Sequence, residues 1–285
     1  MAYQNPSEII KTFADSAQLK NNFSMSRLLL YSLLGGAFIA LGGLLAILVA
    51  GGMPGIAAEN PGLVKFVFGA VFPLGLFLVV LGGAELFTSD CAVISLSVFR
   101  KGLNLKHLTK IWTLVYLGNF AGALVVAYLF AYQSGILNSE PWLTAAINIG
   151  EAKTSATFYK TFIKGIGANW LVCMAVWMSY AAKDVSGKML AIWFPVMAFV
   201  VMGFEHSIAN MFFLPTSMFL GANFSISTFL IKNLIPATLG NIVGGVVFVS
   251  LAYHYMFSKQ QINKSDNIIE KSNYKEELQE LEHLN

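Results

Sequence analysis

One histidine, a threonine and six further polar side chains stand where an apolar chain has no ordinary use for them. Glu85, Thr88, Ser89 and Asp90 interrupt one apolar run; Glu205, His206, Ser207 and Asn210 interrupt another. An ionisable group in hydrocarbon is expensive, so each is a functional candidate. His206 leads, because imidazole changes charge near neutrality, at an ordinary pKa of about 6.5. A pore histidine can attract an anion when protonated, or hand it a proton. Thr88 offers a hydroxyl that can donate or accept. Two bare carboxylates in the path would repel an anion. Glu85 and Glu205 are therefore expected to be structural, accepting bonds from backbone amides freed at helix breaks. Asn119, Asn169, Asn210 and Asn241 are midspan amides, some of which must bond helix to helix.

Catalysis finds little support. Glu205-His206 has no second histidine at helical spacing, so it is not a zinc motif, and Gly-x-Ser-x-Gly, Walker and paired-cysteine motifs are missing. Cys91 and Cys173 lie in apolar surroundings and read as small buried hydrophobes. No metal, cofactor or nucleic acid is expected, and the water-channel signature Asn-Pro-Ala is missing from the spans.

The elements that must hold these residues are membrane helices. The 285-residue chain is 56% apolar and 12% charged, about half the charged fraction of a soluble domain. A bilayer core needs roughly 20 apolar helical residues per crossing. Runs of that kind fall at 28–50, 65–99, 111–133, 165–182, 189–213 and 234–257. The second and fifth carry the polar clusters, each beside glycine (Gly82-Gly83 and Gly203). The expectation is an all-α membrane protein of six transmembrane helices, two of them interrupted. Thirteen of the 18 Lys and Arg residues fall on one side if both termini are cytoplasmic, which sets that orientation. No signal peptide is evident. Residues 1–27 read as a cytoplasmic segment whose amphipathic helix opens at Asn5-Pro6-Ser7-Glu8, with Ile9, Ile10, Phe13 and Ala17 on one face. Residues 28–257 form the transmembrane domain, and 258–285 a cytoplasmic tail with a helical pattern.

The two halves match. Phe72-Pro73 pairs with Phe194-Pro195, Gly83-Ala84-Glu85 with Gly203-Phe204-Glu205, and Leu117-Gly118-Asn119 with Leu239-Gly240-Asn241, at offsets of 120 to 122 residues. Three spans per copy is an odd number, so the second copy is expected upside down. Inverted repeats with broken helices mark channels and transporters.

The segments Gly83–Ser89, Asn169–Met178, Gly203–Met211 and Leu239–Asn241 resemble the formate–nitrite transporter family, and the likeness covers about residues 5–257. Phe204-Glu205-His206-Ser207-Ile208-Ala209-Asn210-Met211 is its most specific part. The resemblance implies an aquaporin-like six-helix protomer in an inner, cytoplasmic membrane, assembled as a homopentamer with one pore each. It implies formate, nitrite or hydrosulfide as substrate. Met211–Pro215 and Asn233–Pro236 look closer to the formate branch. By the same resemblance, His206 is the central histidine and Thr88 its partner. Phe72, Leu76 and Phe199 form constrictions, and Leu86 flanks the slit. Lys153 is a vestibule lysine, Asn169 and Asn241 pore-side amides, and the N-terminal helix is linked to gating. The expected activity is pH-dependent transport, proton-coupled through His206. A non-transporting membrane sensor or scaffold on the same fold is the alternative from another class.

Overall fold

The computed structural model describes residues 3–257. Helix α1 (Pro6–Asn21) begins as the sequence implies. The Asn5 side chain accepts from the Glu8 amide, and the Glu8 carboxylate accepts from the Asn5 amide, with proline at the first turn. Its apolar face, Ile9, Ile10, Phe13 and Ala17, is buried. There it meets helices α6 (Phe87–Phe99) and α9 (Phe158–Ala181). Phe13 sits 5.2 Å from Trp177 and 5.3 Å from Tyr180, ring centre to ring centre. The tail read from the sequence, 258–285, lies outside the described residues.

The first half continues through α2 (Met25–Gly51), the short α3 (Pro54–Glu59), α4 (Pro61–Val71) and α5 (Leu74–Gly82). It then breaks, resumes as α6, and returns through α7 (Leu105–Val125), which widens to π geometry over Val126–Gln133. The second half runs α8 (Trp142–Ser155), α9, α10 (Val185–Val201), a break, and α11 (Ser207–Phe219). It closes through the single turn α12 (Ile226–Thr228), a π stretch (Phe229–Leu234), α13 (Ile235–Gly245) and a second π stretch (Val246–Leu251). Five helical stretches are long and apolar enough to cross a bilayer: Met25–Gly51, Pro61–Gly82, Leu105–Gln133, Phe158–Ala181 and Ile226–Phe257. The shorter α10, with α11 beyond its break, reads as the sixth crossing.

Several helices begin earlier than the apolar runs suggested. Asn104, Thr157, Asp184 and Ser225 cap α7, α9, α10 and α12, and each side chain accepts a backbone N–H of the first turn. Those turns are polar because helix ends sit in the headgroup zone, so a hydropathy window starts late. Helix α8 escaped that reading altogether: it is mixed in polarity and forms no apolar run.

The repeat extends to the helix contacts. Each half pinches two helices together through glycine: α2 against α7 and α9 against α13. A Cβ on Gly122 would collide with the Leu33 carbonyl oxygen, and one on Gly244 with that of Ile166. Both pinches carry glycines 122 residues apart, and both return helices pass from α into π geometry. The repeat unit is thus larger than three spans. Helix α8 stands to the second half as α1 does to the first.

Candidate functional site

Each break begins at a glycine in the left-handed region, Gly83 at φ 79° and Gly203 at φ 69°. Open space surrounds the missing Cβ in both cases. It is therefore backbone conformation and not crowding that requires glycine there. Past the glycine, the chain runs extended for three residues and restarts as α6 or α11.

The broken ends leave backbone groups that hydrocarbon cannot satisfy. One asparagine per half closes them. Asn119 donates to the carbonyls of Ser32 (2.6 Å) and Glu85 (2.9 Å) and accepts from the Phe87 amide (2.9 Å). Asn241 donates to Gly165 (2.8 Å) and Glu205 (2.9 Å) and accepts from the Ser207 amide (2.8 Å). The freed amides go to these side chains and not to the glutamates, because the carboxylates are held elsewhere. Glu205 takes Lys153 at 2.9 Å, Asn210 at 2.7 Å and Asn233 at 3.3 Å. Glu85 takes Lys20, which also binds Asp90. Lys20 comes from α1 and Lys153 from α8, so the outlying helix of each half pins the break of that half.

The two restarted helices meet at the centre of the protein. Thr88 Oγ1 lies 2.9 Å from His206 Nε2, and the residues are 0% and 3% exposed. His206 is also the cap of α11: its Nδ1 accepts the Ala209 amide at 3.0 Å. A nitrogen that accepts carries no proton, so the neutral ring holds its hydrogen on Nε2 and donates it to Thr88. The Thr88 hydroxyl hydrogen is then free to point elsewhere. Asn169 donates to the Thr88 carbonyl (3.0 Å) and to that of Asn241 (2.6 Å), fixing the threonine's helix against the clip.

Cavities lie on both sides of this pair. The one on the α8 side, about 370 Å³, is lined by Lys65, Phe72, Lys153, Lys164, Phe199 and His206, among others. The one on the α1 side, about 320 Å³, is lined by Lys20, Arg27, Tyr31, Val79 and Glu85, among others. They share no lining residue. Phe72 and Phe199 stand edge to face with ring centres 6.1 Å apart. Phe199 stacks on His206 at 5.8 Å. Leu76, one helical turn from Phe72 and one from Val79, is buried, as are Leu86 and Thr88. Asn169 and Asn241 line neither cavity; both are buried and bonded to backbone.

A family model described as formate/nitrite transporter matches residues 7–255. The chain belongs to that family.

A formate/nitrite transporter is a membrane transport protein and not an enzyme, and the relatives agree. A "Probable formate transporter" from Methanothermobacter thermautotrophicus is 42% identical over 91% of this chain and 99% of its own length. "Formate channel BtFdhC" from Bacillus thuringiensis is 39% identical over 92% of this chain and 99% of its own. Two solved structures share the fold. An "FNT family ion channel" superposes with a TM-score of 0.79 at 32% identity, covering 87% of this chain and 98% of that one. A "Pentameric formate channel with formate bound" does so at 0.70 and 33%, covering 82% and 97%.

Two parts of this transporter's site, Asn233 and Lys20, went unread in the sequence. Asn233 braces Asn210 at 2.6 Å, and Lys20 and Asp90 complete the first half's ion cluster. Lys20 sits in a helix of ordinary surface polarity, so only its fold neighbours reveal it. Burial alone would lower its pKa. The Asp90 and Glu85 carboxylates outweigh that and hold the ammonium well above its usual 10.5. A raised value means that the stabilising charge is complete below pH 10.5 and is lost only as pH climbs beyond the raised pKa. Helix α1 should therefore stay docked through pH 10. Proteolysis before Asn22, followed by mass spectrometry, should be equally slow at pH 7 and pH 10. Lys20→Met should speed it at both.

Proposed function

We propose that this chain is a pH-dependent membrane pore for small monovalent weak-acid anions, with formate as the preferred substrate and nitrite or hydrosulfide next. The relatives' names support formate, and the solved pentamer supports a homopentamer with one pore per protomer. The excess of Lys and Arg on the α1 face supports a multi-pass protein of the cytoplasmic membrane with that face inside.

One observation carries the mechanism: the N-terminal ends of α6 and α11 converge on a dry Thr88–His206 pair between two charged mouths. Helix N-termini favour negative charge. An anion is drawn into a vestibule and reaches the Phe72–Phe199 constriction. Stripping its water costs several kcal/mol unless a partner replaces it. Beyond the rings the replacement is the Thr88 O–H, aimed at the passing substrate because its oxygen is already occupied by His206. Lys153 serves the site through Glu205, and Asn169 and Asn241 serve it by positioning backbone.

The proton coupling takes a specific form. To become a cation, His206 must add a proton at Nδ1, facing the Ala209 N–H at the positive end of α11. That loses the cap and adds charge where charge is least welcome. The substrate therefore carries the proton, picked up in the vestibule, and crosses as the neutral acid. Reconstituted protein should pass labelled formate at a rate that rises as pH falls, with nitrite and hydrosulfide following and acetate and lactate slower. A sealed, folded protein that passes none of the five overturns the reading and leaves the sensor or scaffold.

A further inference from the structure

Three lysines line the α8-side vestibule, and they are not equivalent. Lys153 is bound to Glu205 at 2.9 Å, so its charge is largely neutralised within the wall. Lys65 on α4 and Lys164 on α9 line the same cavity and form no ion pair with a carboxylate among the described residues. They stand on opposite elements: α4 carries Phe68 and ends just before Phe72, while the Lys164 carbonyl receives the Glu205 amide at the break. The two ammonium groups thus belong to the same funnel that narrows to the Phe72–Phe199 ring pair. The other mouth differs. There Lys20 faces two carboxylates, Glu85 and Asp90, and the Arg27 guanidinium offsets the surplus while resting on Tyr31 Oη and over the Phe23 ring.

We propose that Lys65 and Lys164, and not Lys153, capture the anion at the α8-side mouth, holding a small monovalent anion by charge before it meets the aromatic constriction. The inference rests on the pore reading above and goes further, because it assigns capture to two residues and gives the mouths unequal pull. Charge in a cleft raises local counter-ion concentration, and with it the rate of entry. The effect fades once the Debye length falls below the width of the mouth, from about 30 Å at 0.01 M to about 3 Å at 1 M. Lys153 has no such signature, since a contact ion pair is already satisfied at every salt concentration.

The test is initial uptake of labelled formate and nitrite into proteoliposomes, over a series of impermeant salt concentrations from about 0.01 to 1 M. The variants are Lys65→Gln/Lys164→Gln, its charge-conserving counterpart Lys65→Arg/Lys164→Arg, and the parent. The parent's rate should fall as salt rises. The glutamine variant should be slower at low salt by at least about threefold, nearly flat across the series, and equal to the parent at high salt. The arginine variant should follow the parent. A glutamine variant that tracks a salt-sensitive parent throughout overturns the capture role and leaves the pore reading standing. A uniform loss at all salts in both variants marks the lysines as structural and overturns it too. A parent that passes neither anion sinks the pore reading and this inference together.

Discussion

His206→Asn should transport with the pH dependence of the parent. Asparagine is a good helix cap, so its side-chain carbonyl can take over the Ala209 N–H, and its amide retains a donor on the Thr88 side. The rate should stay within about tenfold of the parent, because one neutral hydrogen bond contributes about 0.5–1.5 kcal/mol. His206→Ala removes both bonds. The cap alone is worth about 1 kcal/mol, and the Thr88 hydroxyl then turns its hydrogen to the nearest local acceptor. Transport of formate should fall by roughly 10- to 100-fold, the rate equivalent of about 1.5–2.5 kcal/mol contributed by the two bonds. Flux measured from pH 5 to 8 decides between the two ideas of how a proton is carried. If the ring titrates, the asparagine variant flattens a step near neutrality that the parent shows. If the substrate carries the proton, the two curves run parallel. Nitrogen chemical shifts of labelled histidine give an independent check, since a ring protonated only on Nε2 has one bare nitrogen.

Asn241→Ala should cost the protein its fold before it costs a pore its selectivity. The side chain covers two carbonyls and one amide, all buried. Each uncovered group costs about 1–3 kcal/mol in a site that water cannot reach. Three at once approach the whole stability of an ordinary domain, about 5–15 kcal/mol. The yield of monodisperse protein in detergent should fall sharply and the thermal transition of what survives should drop. Asn241→Asp should be nearly as damaging, since a carboxylate accepts from Ser207 but confronts two carbonyl oxygens. Asn119→Ala, the same clip in the other half, should behave alike. Parental yield and melting for Asn241→Ala would refute the clip, whatever the effect on flux.

Much of this architecture could be read in the residues. The two breaks were visible because acids beside glycine have no place in a simple span, and the repeat because three motifs recur at one offset. The central pair was legible from residue type alone at His206, and from motif likeness at Thr88. What escaped has a common physical cause. The glutamates were expected to take the freed amides, but spacing along the chain cannot show that Asn119 and Asn241 reach across from α7 and α13 to do so. Nor can it show that Lys20 and Lys153 arrive from helices outside the spans. Helix α8 has no apolar run to announce it. Lys65 and Lys164 were counted only toward orientation, because which lysines face a cavity is decided by packing between α4 and α9. Long-range partnership of polar groups is written in the fold, while breaks and periodicities are written locally.

The halves part company most plainly at the seat at the start of the restarted helix. Leu86 and His206 occupy it, each as the residue before the first turn, yet only His206 bonds its own helix through a side chain. A motif and a copy inverted by an odd number of spans would present the same face to both compartments and have no intrinsic sense of forward and backward. Any vectorial behaviour of the protein must therefore originate where the copies are unlike. A leucine opposite a histidine at its core, and lysines of unequal freedom at its mouths, are enough to turn a mirror-like scaffold into a pathway with two distinguishable ends.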